Sequence, residues 1–309
     1  MKPTAPAGEH ERPFSVIILV FLAVSMTNAV ASDLSKNDPM IPMPIPEQVP
    51  AREGIAELPG TRLGYWDTSG EGPAVLLLHP ATGSALIWAY QQPVFAKAGY
   101  RVIAYSRRGH HNSAPVPNDN PGTAVEDLHN LVGLLKVEKF HVVGSAAGCS
   151  VAIDYALSHP ERLLSMTLAS GVGGVRDPDC LKTSEGLRPK GFNDMPTDFR
   201  ELGPSYRATN PEGVKAWREL EHHAVTGNRI GQKPANEVTW AKLRELLVPT
   251  LLIAGDADLW QPPALMRLFR RNIPNSELVV VPEAGHSVYW ERPDVFNGAV
   301  LDFISRYSR

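Results

Sequence analysis

The stretch Ala74–Pro80, AVLLLHP, is apolar until it ends in polar and small residues. A strand with one wet face alternates apolar and polar side chains. A continuous apolar run instead suits a strand covered on both faces, as in a parallel sheet. Similar runs lie at Tyr100–Tyr105, Phe140–Val143, Leu163–Ala169, Thr250–Ala254 and Leu278–Val281. Ahead of them, Ile55–Asp67 reads as a hairpin about the turn dipeptide Pro59-Gly60. Val125, Leu128, Leu131, Val132 and Leu135 keep helical spacing and predict a helix over 123–137. A second helix is expected at Ala147–Ser158. A third is expected in ERPDVFNGAVLDFI near the C-terminus, with Pro293 close to its first turn.

Strand and helix therefore alternate, which predicts an α/β fold: a mainly parallel central sheet with helices on both faces. The alternation breaks between about 171 and 247. That stretch holds GVGGVRDPD, several prolines and one clear helical segment, NPEGVKAWRELEHHAV. It is too long for a plain loop and is expected to form a small helical cap inserted in a domain spanning 55–309.

The first residues read as a processed leader. Lys2 and Arg12 give a weakly positive start, diluted by Glu9 and Glu11, and FSVIILVFLAV follows at Phe14–Val24. AVA at Ala29–Ala31 offers a small-x-small cleavage site, so 1–31 is expected to be a signal peptide and the mature protein to be exported. The apolar run is short of the roughly 20 residues a membrane span needs, so no stable membrane insertion is expected after processing. Residues 32–54, with MIPMPIPEQVP, read as a proline-rich extended leader to the domain.

Composition narrows the partners. The 309 residues are 43% hydrophobic with a formal net charge of −3, so no basic surface suited to nucleic acid is expected. Cys149 and Cys180 could pair in an exported chain, but Cys149 falls in an apolar run where buried free cysteine is common. No Cys/His spacing suggests zinc, and no cofactor is implied.

The candidate chemistry begins at GSAAG, Gly144–Gly148, between the strand and helix of FHVVGSAAGCSVAIDYAL. A nucleophile elbow holds its central residue in a strained turn, and it needs small residues two before and two after because the strand and helix backbones nearly touch. That spacing makes Ala146 the central residue, and alanine carries no hydroxyl. The alternative frame, with Ser145 central, would put Val143 and Ala147 at the small positions. Asp258 follows the strand of LLIAGDADLWQPP, with Asp256 as a second candidate acid, and His286 follows the strand of VVVPEAGHSVYWERP. Position 146, Asp258 and His286 thus come in the order nucleophile, acid, base. In such a set the imidazole takes a proton while the carboxylate fixes its tautomer and stabilises the imidazolium.

LLLHPATGS, YSRRGHHNSAP, HVVGSAAGCSVAIDYALSHPERL, PTLLIAGDAD and VPEAGHSVYWERPDVFN occur together in one order. In them the chain resembles the α/β-hydrolase superfamily from roughly Gly60 to the C-terminus. The resemblance implies an oxyanion hole made by two backbone N–H groups, those of Ala147 and Ala81. Pro80 stands where the family usually has glycine. RRGHHNS matches a structural loop, so His110 and His111 are expected to pack rather than react. The substrate expected is a small molecule with an ester, lactone or related acyl bond. Trp217, Trp240, Trp260 and Tyr289 are candidates for an apolar lining.

Ala146 departs from the family's serine and leaves three accounts open. The chain carries a deliberate serine-to-alanine change, or hydrolyses by water activated at His286, or is a pseudoenzyme that binds a small molecule without turning it over. A lyase or epoxide-type enzyme on this fold is a further class, but the epoxide type uses a carboxylate at position 146.

Overall fold

The computed structural model describes residues 41–171, 173–175, 177–226 and 231–308. The predicted hairpin is β1 (Arg52–Leu58) and β2 (Thr61–Asp67), with Leu58 paired to Thr61. Gly60 closes it at φ 71°, a left-handed conformation that suits glycine. β3 (Ala74–Leu78), β4 (Arg101–Tyr105), β5 (Phe140–Ser145), β6 (Leu163–Ala169), β7 (Thr250–Gly255) and β8 (Ser276–Val281) run parallel. The sheet order is β1-β2-β4-β3-β5-β6-β7-β8, with β2 antiparallel to β4.

The unbroken apolar runs of β3 to β7 are explained by two cores, one on each face, whereas Leu278–Val281 lies in the edge strand β8, where Val280 is exposed. Leu76 and Leu78 of β3 join one core; Val75 and Leu77 join the other. The first core is closed by α2 (Ala124–Leu134), α3 (Ala147–Ser158) and α9 (Pro263–Asn272) through side chains such as Leu128, Tyr155 and Phe269. The second is closed by α1 (Gln92–Lys97), α10 (Val288–Glu291) and α11 (Pro293–Ser305) through Phe95, Tyr289 and Phe303. Thr123 caps α2 in a reciprocal box with Glu126, as its position ahead of the apolar periodicity allows. α1 and α9 had no sequence prediction. The expected C-terminal helix is α11, with Pro293 in its first turn as expected; the short α10 lies ahead of it, and Pro293 has no N–H with which to continue α10.

The inserted stretch holds more helix than the one segment expected. It contains α4 (Pro178–Gly186), α5 (Thr197–Glu201), α6 (Pro204–Thr209), α7 (Pro211–His222) and α8 (Trp240–Arg244). Four of these five begin with or next to a proline, which supplies the helical φ at a first turn and hides their periodicity in short pieces.

The leader ends earlier than expected, since β1 starts at Arg52 rather than Ile55. The proline-rich residues 41–51 lie outside helix and strand and are tied down: Tyr90 donates to the Met43 carbonyl at 2.8 Å, and Gln92 donates to Val49 at 2.7 Å. The expected signal peptide, 1–31, lies outside the described residues. Among the described residues no helix is long and apolar enough to cross a membrane. Cys149 and Cys180 are both free and buried, so the disulfide open to an exported chain is not formed. Cys149 instead donates to the carbonyls of Gly144 and Ala169.

Candidate active site

Ala146 sits between β5 and α3 with φ 48° and ψ −110°, a conformation that costs a residue with a Cβ on the order of 1–3 kcal/mol. Close backbone approach holds it there. A Cβ on Gly144 would lie 2.7 Å from the Gly148 carbonyl carbon, and one on Gly171 would lie 2.6 Å from the Ala146 Cα. A Cβ on Gly148 would collide with the Leu78 carbonyl oxygen. The glycine spacing therefore fits position 146 and no other as the elbow. Ser145 is fully buried and its hydroxyl has no partner, so the frame that centres on it offers no reachable nucleophile.

Asp258 and His286, drawn from the ends of β7 and β8, meet directly. The His286 Nδ1 lies 2.9 and 3.0 Å from the two Asp258 oxygens. A carboxylate only accepts, so Nδ1 carries the proton and Nε2 is left with its lone pair or a second proton. Asp258 is itself oriented by the N–H groups of Trp260 and Gln261, at 2.8 and 2.9 Å. Asp256 is exposed and accepts from the Glu283 N–H, so it is not the partner of His286. In the sheet, β5 and β7 are separated by β6, which puts their ends about 10 Å apart. Position 146, Asp258 and His286 thus follow the C-terminal ends of parallel strands, on one edge of the sheet.

Two further carboxyl groups surround the imidazole, and no spacing in the sequence marked them. Glu201, at the end of α5, accepts the Ser287 N–H at its carbonyl at 2.9 Å. Its side chain is buried, with one carboxyl oxygen unpartnered. Glu291 accepts the N–H groups of Gly203, Gly285 and Ser287. Burial pushes the Glu201 carboxyl up, and it pushes Glu291 to about 7 against the pull of its amide donors. Burial alone would lower the His286 imidazolium's pKa. The carboxylates of Asp258, Glu201 and Glu291 outweigh it and raise His286 from 6.5 to about 9. A sequence sign existed only for Glu291, an acid set in the apolar run VYWE.

Ala147 opens α3, and neither its amide nor that of Ala81 is bonded to an acceptor among the described residues. The Ala81 carbonyl lies 3.4 Å from His110 Nε2, and His110 packs on the buried His79 with ring centroids 4.6 Å apart. His111 donates its N–H to the Ala224 carbonyl. Both histidines thus take loop and packing roles. Arg108 forms a buried bidentate pair with Asp127, at 2.6 and 2.8 Å, that fixes the same loop. Of the aromatic candidates, Trp217 and Tyr289 are core residues and Trp240 packs on Phe269. Trp260 alone of these stands by the site, 6.1 Å from the His286 ring, under Arg188 and Arg200. Among the described residues no cluster of His, Cys, Asp or Glu could hold a metal ion.

The arrangement can bind an acyl group against two free amides and move a proton at His286. The chain is similar to several hydrolases. A 2-hydroxy-6-oxononadienedioate/2-hydroxy-6-oxononatrienedioate hydrolase of Pseudomonas putida is 29% identical over 281 residues, 82% of this chain and 94% of its own length. An esterase from Thermogutta terrifontis shares the fold with a TM-score of 0.68 at 24% identity, over 84% of this chain and all of its own. The enol-lactonase of Burkholderia xenovorans LB400 does so with a TM-score of 0.66 at 23% identity, over 82% of this chain and all of its own. Residues 75–299 match the profile of the alpha/beta hydrolase family, and the chain belongs to that family.

Proposed function

We propose that this hydrolase acts on an ester, lactone or related acyl bond of a small molecule, and that Ala146 impairs it by removing the covalent route. The observation that carries the reading is the Asp258–His286 pair beside an elbow whose glycines and strain are intact around Ala146. Such strain is expensive to keep where it serves nothing. In this reading the substrate carbonyl lies over position 146, with its oxygen on the N–H groups of Ala147 and Ala81. His286, when neutral, takes a proton from water at Nε2, water adds to the carbonyl carbon, and the imidazolium returns the proton to the leaving group. Asp258 holds the ring and its tautomer.

Loss of a catalytic serine costs on the order of 10⁶ in turnover, while about 10³–10⁴ over water persists through binding and oxyanion contacts. Slow hydrolysis by the chain is therefore expected. Ala146→Ser is expected to gain reactivity toward a fluorophosphonate probe and a short acyl ester, and Ser145→Ala to change neither. A silent Ala146→Ser, in a folded protein, would refute the elbow reading. A second reading, a small-molecule binder without turnover, is favoured by one observation: three buried carboxyl groups, Asp258, Glu201 and Glu291, surround His286 and favour the imidazolium, which is a poor base. Progress curves of the parent and His286→Ala on one ester separate the two, because a binder gives equal background rates.

Export is part of the proposal, on the apolar run Phe14–Val24 and the AVA site. Mass spectrometry of exported protein should find an N-terminus at or near Ser32, and an intact Met1 would contradict it.

A further inference from the structure

We propose that a cavity beside the elbow binds a carboxylate of the substrate, so that the compound hydrolysed is an anionic acyl compound. The inference rests on the hydrolase reading of the same site. The cavity, of about 360 Å³, is lined by Arg107, His110, Ala147, Ser150, Val151 and Lys233 among others. Ala147 is the residue just after the elbow, and His110 reaches the Ala81 carbonyl. The cavity therefore adjoins the Ala147 side of the proposed oxyanion hole.

Arg107 gives the cavity its chemistry. Its Nη2 donates to the His79 carbonyl at 3.2 Å and its Nε is shut away from the cavity, so the guanidinium is anchored from behind and meets the cavity with its remaining edge. No carboxylate pairs with it among the described residues. Arg108, its neighbour, is neutralised by Asp127. The one acid of the cavity wall, Asp154, is turned to the N–H groups of Ala235 and Asn236, at 2.8 and 2.9 Å. Lys233 forms no ion pair among the described residues, so Arg107 and Lys233 outnumber the single Asp154 and the wall stays net positive. A largely buried guanidinium without a counter-ion is unfavourable, and a carboxylate on the cavity side would supply the missing charge. His110 is held neutral by burial and by Arg107, so it adds a hydrogen-bonding group rather than a charge. Val116 and Val151 supply an apolar wall for the chain that carries the carboxylate.

The test is calorimetric titration of the full chain with adipate, adipamide and inorganic phosphate. Adipate should bind, with adipamide about tenfold weaker or worse, as expected for loss of a charge-assisted pair. Arg107→Gln should weaken adipate about tenfold, and Lys233→Gln by a smaller factor. Equal binding of adipate and adipamide, or undiminished binding by folded Arg107→Gln, overturns the proposal. Phosphate binding as tightly as adipate overturns it too, since the cavity would then be a site for any anion. Should circular dichroism show Arg107→Gln unfolded, the exposed Lys233→Gln decides alone. Ala146→Ser assayed on p-nitrophenyl butyrate and mono-p-nitrophenyl adipate separates this from the parent reading. Turnover without preference for the anionic ester refutes the carboxylate site and keeps the hydrolase. Adipate binding with no turnover of either ester keeps the site and refutes the hydrolase.

Discussion

His286 should titrate near pH 9 rather than near 6.5, and the consequences can be followed through. The difference between 6.5 and about 9 corresponds to about 3 kcal/mol favouring the imidazolium in the fold. At pH 7 only about one molecule in a hundred then holds the neutral base. In Ala146→Ser, where the imidazole must accept the serine proton, kcat/KM should climb about tenfold per pH unit from pH 7 and level off near pH 9. The stability sign follows from the same numbers. A histidine whose pKa is raised by folding stabilises fully below 6.5, and that contribution is lost as pH rises through about 9. The Tm of the parent should therefore fall over that window relative to His286→Asn. Asp258→Asn removes the bonded carboxylate and should move the inflection acidward. Glu201→Gln should move it the same way without touching the Asp258–His286 bond, a distinction that sequence alone could not suggest. The assay is a pH–rate profile of Ala146→Ser on p-nitrophenyl butyrate, paired with nitrogen NMR of the ring. A rate that is flat above pH 7, with a ring titration at 6.5, would refute the role given to the three carboxylates.

Gly148→Ala should cost about 2–3 kcal/mol in urea unfolding, because its Cβ meets the Leu78 carbonyl and the strand and helix cannot part without loosening the elbow. Asp127→Ala should cost about 3–5 kcal/mol by leaving Arg108 buried and unpaired, measured by the same unfolding curves. Glu291→Gln should cost about 1–3 kcal/mol in thermal unfolding, since an amide cannot accept from Gly203, Gly285 and Ser287 with both of its ends.

The sequence by itself determined the sheet and its chemistry-bearing edge. Runs such as AVLLL and TLLIAG are apolar throughout because both faces of those strands are covered, and that is a local pattern. Gly144 and Gly148 are equally local, since the space they leave is set by the turn between one strand and the next helix. Asp258 and His286 follow strand ends at positions the chain order predicts, so their pairing could be anticipated before any distance was known. In the inserted stretch the break in alternation and the helix Pro211–His222 were legible, while its four other helices, of five to nine residues, were too short to show a periodic stripe. What the tertiary structure decided is the electrostatics. Glu201 comes from α5, Arg107 from the loop after β4, and Glu291 from α10, and each acquires its character from burial and from the charges it is brought near. Desolvation and Coulomb energy depend on distance in space and on exclusion of water, and neither quantity is written in the order of the residues.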